Sequence, residues 1–204
     1  MYTVNAKIEG ISPLLHHRFV VSEDGKTKPK KTTGVIDYSD EWRATCYVNE
    51  EQELFQPATH IEAAMTKAAV TIKIPGKGNK TFKDLCRAAV FVDPFAIPHT
   101  DNNGEIRQLP KEPPVTTSLT YDAPVYVDVR PVVVNRGSRV ERARLALNTG
   151  WRLSFNLEVA DDQLPVETLQ DILTEAGLKI GIGDNRPRNG RFRIAQFETV
   201  NGAS

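Results

Sequence analysis

Apolar and polar residues alternate through YTVNAKIEG (Tyr2 to Gly10), and a period of two predicts a strand. ISPLLHHRFV, which follows, fits no simple turn. SEDGKTKPKKTTG (Ser22 to Gly34) lacks apolar anchors and predicts a mobile loop. In PATHIEAAMTKAAV (Pro57 to Val70), Ile61, Ala64, Met65, Ala68 and Ala69 recur at helical spacing. Thr59 offers a cap there, with Glu62 three residues on. KDLCRAAVFVDPFAIPHT starts as a short helix or strand that ends by Pro94, and from Asp101 to Pro124 no periodicity appears.

Three strand patterns come next: Ala123 to Val134, Arg139 to Leu147 and Trp151 to Ala160. NRGS provides a hairpin tip between the first two. DDQLPVETLQDILTEAG predicts a helix with Pro165 in its first turn, an apolar face at Val166, Leu169, Ile172 and Leu173, and a stop at Gly177. RFRIAQFETV (Arg191 to Val200) predicts a last strand. With its excursions near 20–35 and 97–124 removed, the order approximates βαββαβ. The expected fold is therefore α+β: a ferredoxin-like core with an antiparallel sheet, two main helices and long inserted loops, in a single domain over 1–204.

Composition narrows this only a little. The chain has 204 residues, 40% of them apolar, and 26 Lys plus Arg balance 26 Asp plus Glu, so any argument from charge must be local. Cys46 and Cys86 have no CxxC spacing and are expected as buried thiols of a reducing compartment. No apolar run reaches eighteen residues, so a soluble, cytoplasmic protein without membrane contact is expected.

The chemistry concentrates in GLKIGIGDNRPRNGRF (Gly177 to Phe192), which holds four glycines, three arginines and a lysine. Glycine lets another backbone come close. Freed amides with guanidinium groups beside them suit phosphate oxygens. This is neither a Walker loop nor a dinucleotide fingerprint, because it follows a helix and enters a strand. A glycine-rich turn with a solvated basic face is the plainer alternative. The stretch resembles the C-terminal glycine-rich loop of the RAMP superfamily, the ferredoxin-fold RNA-binding proteins of CRISPR systems. The matching positions are Gly181 and Gly183, then Arg186 and Arg188, then Gly190, Arg191 and Phe192.

A second basic cluster carries Arg130, Arg136, Arg139, Arg142, Arg144 and Arg152 against a single acid, Glu141. Strand alternation puts Val140, Arg142 and Arg144 on one face, where they would line a groove that follows a phosphate backbone. The same charges would equally protect an exposed strand edge. The aromatic signature of a base-reading RNA recognition motif is missing, so contact with the backbone is expected rather than readout of bases.

His16 and His17 follow the first strand, and on an extended chain at most one would face a given site. His60 and His99 make no metal spacing with them, and no metal or cofactor is expected. The RAMP resemblance implies a non-catalytic subunit of an antiviral CRISPR effector that binds single-stranded guide RNA and stacks with copies or partners in a ribonucleoprotein complex. Its nucleic-acid-binding residues would be Arg136, Arg139, Arg142, Arg144, Gly181, Gly183, Arg186, Arg188 and Arg191, with Lys28, Lys30 and Lys31 from the first excursion. DNA in place of RNA stays open. So do two alternatives: a metal-independent guide-RNA-processing endoribonuclease with His16 or His17 as general base, and an assembly protein without nucleic acid.

Overall fold

The structure is a computed structural model that describes residues 1–19, 31–32, 35–36, 41–118, 121–133 and 139–200. In chain order the elements are β1 (Tyr2–Gly10), β2 (Leu14–Leu15), β3 (Lys31–Thr32), β4 (Val35–Ile36), α1 (Glu41–Ala44), β5 (Phe55–Pro57), α2 (Ala58–Ala68) and α3 (Lys83–Ala89). They continue with β6 (Val90–Asp93), β7 (Ala96–Pro98), β8 (Val115–Thr116), β9 (Val125–Val133), β10 (Arg139–Leu147), β11 (Arg152–Val159), α4 (Val166–Glu175) and β12 (Phe192–Val200).

The alternation in β1 buries Val4, Ala6 and Ile8, which pair with Leu157, Phe155 and Leu153 of β11 on the same face. Asn5, Lys7, Ser154 and Glu158 occupy the opposite face and are exposed. The main sheet runs in the order β12-β1-β11-β6, with antiparallel pairing throughout. Ile61, Ala64, Met65 and Ala68 of α2 and Leu169, Ile172 and Leu173 of α4 join its buried face in one core. Burial of each large apolar side chain there contributes about 1.5–3 kcal/mol. An aspartate at Ile61 would put an unpaired carboxylate into that layer.

The segment Lys83–Asp93, where the sequence allowed a helix or a strand, forms both, α3 and then β6. Three other sequence expectations need correction. The strand pair 125–147 lies outside the main sheet. It forms a second sheet, β2-β10-β9-β8, in which β8 runs parallel to β9. Gly177 does not end the last helix, because its φ is not left-handed. The chain continues as a wide π turn over Ala176–Ile180, and Gly181 (φ 72°) ends it. Helix α2 likewise starts at Ala58, with Pro57 rather than Thr59 at its N-cap and no side-chain cap hydrogen bond.

β2 positions the site. Trp151 lies against Gly10 and donates from Nε1 to the Ser12 carbonyl at 2.9 Å. The chain thereby leaves the main sheet, and Leu14 and Leu15 pair with Leu147 and Ala146 of β10. Cys46 and Cys86 are free and buried. No helix among the described residues is long and apolar enough to cross a membrane.

Candidate nucleic-acid interface

Between the π turn and β12 the chain turns back on itself. Gly181, Gly183, Asn185 and Gly190 all take left-handed φ values, from 56° to 75°. At Gly190 a Cβ would fall 1.7 Å from the Ile182 carbonyl oxygen, and at Gly183 one would fall 2.7 Å from that of Leu15. Glycine is required there because backbone occupies the space of a side chain. The close approach is sealed by hydrogen bonds: Ile182 N–H to Gly190 O at 2.9 Å, Gly190 N–H to Pro13 O at 2.7 Å and Asp184 N–H to Leu15 O at 3.0 Å. The Arg191 amide donates to Ser12 Oγ at 2.9 Å. The amides of Gly181 and Asn189 are also bonded internally, to Ala176 O and Asn185 O. These glycines therefore serve close packing, and at these six positions no amide is free for a phosphate. What the loop presents outward is its arginines.

Arg186, Arg188 and Arg191 are all exposed, and none is ion-paired among the described residues. Arg186 borders an open groove of about 350 Å³ together with Lys67, Lys179 and Asp184. Lys179 is held by Glu175 at 2.5 Å, one helical turn back. Lys67 comes from the last turn of α2. Sequence reasoning counted Lys179 among the charges of the loop but missed Lys67, since no spacing tells which side of α2 faces a loop more than a hundred residues away in the chain.

Arg144 has a different role from the groove-lining one expected of it. It is 6% exposed, and its Nε lies 2.7 Å from Asp184 Oδ2. On β9, the partner opposite Arg144 is Asp128, fully buried and 2.6 Å from Arg130. Arg144 Nε and the Asp128 oxygens miss hydrogen-bond directions, so these are ion pairs held by charge and proximity. Burial pushes the Asp128 carboxyl above the usual range, against the pull of Arg130 and Arg144. Arg142 is half-buried opposite Arg130. Lys28, Lys30 and Arg136 lie outside the described residues, and Lys31 and Arg139 are described by their backbone alone, in β3 and β10.

The two adjacent histidines point opposite ways, as alternation predicts. His17 is exposed and His16 is buried. The Tyr47 amide donates to His16 Nδ1 at 3.3 Å, which places the His16 proton on Nε2, 3.3 Å from His99 Nε2. Burial, and then the charge of His60, push His16 down to about 3. His99 lies well below its ordinary value through burial, then His16 and Arg107. His16 is thus a neutral, enclosed side chain and not a base offered to a strand in solution. The histidine that senses the glycine loop is His60, whose pKa is lowered by burial and then by Arg186. Its Nε2 lies 3.5 Å from Tyr47 Oη. Tyr47 is pushed up by burial, with Arg18 opposing and Asp184 adding to the shift. Among the described residues no cluster of His, Cys, Asp and Glu could hold a metal ion.

No protein-family model matches the sequence, and no curated protein matches it. Solved structures do. A chain of the Type III-B Cmr-beta bound to cognate target RNA, determined by cryo-EM, superposes with a TM-score of 0.55 at 12% identity. The match covers 99% of this chain and 61% of that one. The two share a fold. A chain of a Type IV-B CRISPR complex aligns over 99% of this chain and 92% of its own, at 13% identity and a TM-score of 0.42. The likeness of fold to the Cmr-beta chain extends over nearly the whole of this chain. This chain spans 61% of the length of the Cmr-beta chain.

Proposed function

We propose that this chain is a non-catalytic, nucleic-acid-binding subunit of a CRISPR-type ribonucleoprotein complex. It holds one strand, guide RNA in the first instance, by its phosphates. In this reading the β12-β1-β11-β6 sheet, with α2 and α4 as its two crossing helices, is a ferredoxin-like core. The observation that carries the proposal is the set Arg186, Arg188 and Arg191. All three are exposed on a loop that its own hydrogen bonds pin in place, and Arg186 borders a groove with Lys67 and Lys179. A guanidinium pairs its planar fork with phosphate, and a pinned loop loses little freedom on binding. The fold shared with a chain of RNA-bound Cmr-beta supports the same reading. The segments near 20–35 and 97–124 are the parts assigned to contacts with copies or partner subunits.

The test is binding of labelled single-stranded RNA and single-stranded DNA at two salt concentrations, for the wild type and for an R186A/R188A/R191A variant. The variant is expected to lose about 2 from the salt slope, at about 0.7 per phosphate contact on a single strand. Intact RNA after incubation is expected from a binding subunit, whereas cuts lost in H17A would establish the nuclease alternative. An affinity for neither strand would remove nucleic acid from the account and leave the assembly role.

A further inference from the structure

A second groove lies on the other side of Lys67. It holds about 560 Å³ between α2, α3 and β6, and the groove beside the glycine loop shares Lys67 with it. Lys83 and Arg87 of α3 line it, both exposed. Neither they nor Lys67 are ion-paired among the described residues. The acid in the lining, Glu62, is turned to β6, where its Oε1 accepts the Val92 amide at 3.0 Å. Val70 and Phe91 add apolar surface and are 46% and 51% exposed. The groove therefore combines three unpaired cations with apolar flanks and shares Lys67 with the groove that Arg186 borders.

We infer that a bound single strand continues past Lys67 into this groove, where Lys83 and Arg87 hold its phosphates and Val70 and Phe91 cover its bases. The inference rests on the proposed nucleic-acid function and extends it from a loop contact to a path across α2. A single strand is the occupant that fits, because it brings regularly spaced anions together with apolar faces. An acidic protein segment is the alternative that the experiment separates.

Affinity would be measured for oligouridylates of about 4 to 16 nucleotides. The wild type, K83A/R87A, the loop variant R186A/R188A/R191A and the charge-matched control K73A/K80A would be compared. All these positions are exposed, so the variants are expected to fold. K83A/R87A should bind the shortest oligomers like the wild type and lose affinity for the long ones. Its salt slope on the long ones should be smaller by about 1.4, so raising salt fourfold weakens the wild type about sevenfold more than the variant. If long oligomers need the loop arginines while K83A/R87A matches the wild type at every length, the path is wrong, and the groove passes to a protein partner. An equal loss at all lengths, shared by K73A/K80A, marks a general effect of charge and also overturns the path. Binding that ignores the loop arginines altogether overturns the proposed function along with it.

Discussion

Arg144 on β10 and Asp184 in the glycine loop form a 2.7 Å ion pair that ties the β9–β10 strands to the loop. The two ends are unequal. The Arg144 side chain is 7% exposed and that of Asp184 32%. Asp184→Ala leaves a guanidinium enclosed without its carboxylate and is expected to cost about 3 kcal/mol. Arg144→Met leaves Asp184 able to reach water and fills the space with apolar atoms, for about 1 kcal/mol. Urea unfolding of the two variants checks this order, and an equal or reversed order would show that the pair is a surface contact.

Gly190 tests the packing account of the loop. Alanine there would place its Cβ 1.7 Å from the Ile182 carbonyl oxygen, at a φ of 73°. Gly190→Ala is expected to lose at least about 2 kcal/mol, lowering Tm by roughly 4–8 °C. Gly78 has a similar φ of 64° with nothing within 4 Å of its Cβ position, so Gly78→Ala carries the backbone penalty alone, about 1–2 kcal/mol. Thermal melts of both variants separate steric closure from φ.

The buried histidines make stability depend on pH in a fixed direction. His16, His60 and His99 all have pKa values lowered in the folded protein, His16 to about 3. Below about pH 6.5 the unfolded chain takes up protons on these rings that the folded chain refuses. Stability is therefore full above pH 6.5 and falls below it, for His16 by about 1.4 kcal/mol per pH unit down toward its pKa of about 3, with His60 and His99 adding to the decline in the same direction. Asp128, with its raised pKa, acts in the opposite sense as it takes up a proton. Denaturant midpoints from pH 7 to pH 4 should show the decline, and His16→Gln should reduce its slope by about one proton's worth. A flat profile would mean that the three rings are solvated.

Arg186 and His60 are electrostatically coupled, and the sign of that coupling can be read directly. The guanidinium opposes protonation of the imidazole, so Arg186→Ala should raise the His60 pKa. A polyanion bound at Arg186 should raise it as well. Two-dimensional NMR titration of the histidine ring protons gives both numbers. An unmoved His60 in the variant would place Arg186 too far away to act on it.

Most of the element list was legible in the sequence because local periodicity dictates local structure. β1, α2, β9, β10, β11, α4 and β12 fall close to where alternation or helical spacing predicts them. The correction at Gly177 has the same root: a glycine permits a left-handed stop but does not impose one, and the chain runs on to Gly181. β6 was ambiguous because four residues are too few for a period to declare itself.

By itself, the sequence determined which segments alternate, which coil, and that glycine and arginine gather in one loop near β12. Only the tertiary structure decided what those residues face. Arg142 and Arg144 look equivalent in the sequence, yet folding closes the loop over Arg144 and pairs it with Asp184, leaving Arg142 half-buried opposite Arg130. His16 looks like the histidine nearest a site, and folding encloses it while bringing His60 under the influence of Arg186. Lys67, Lys83 and Arg87 carry no local signature, and they reach the two grooves because α2 packs between the loop and α3. The reason is that periodicity reports the side of its own element on which a residue lies, whereas a site is made by contacts between elements distant in the chain.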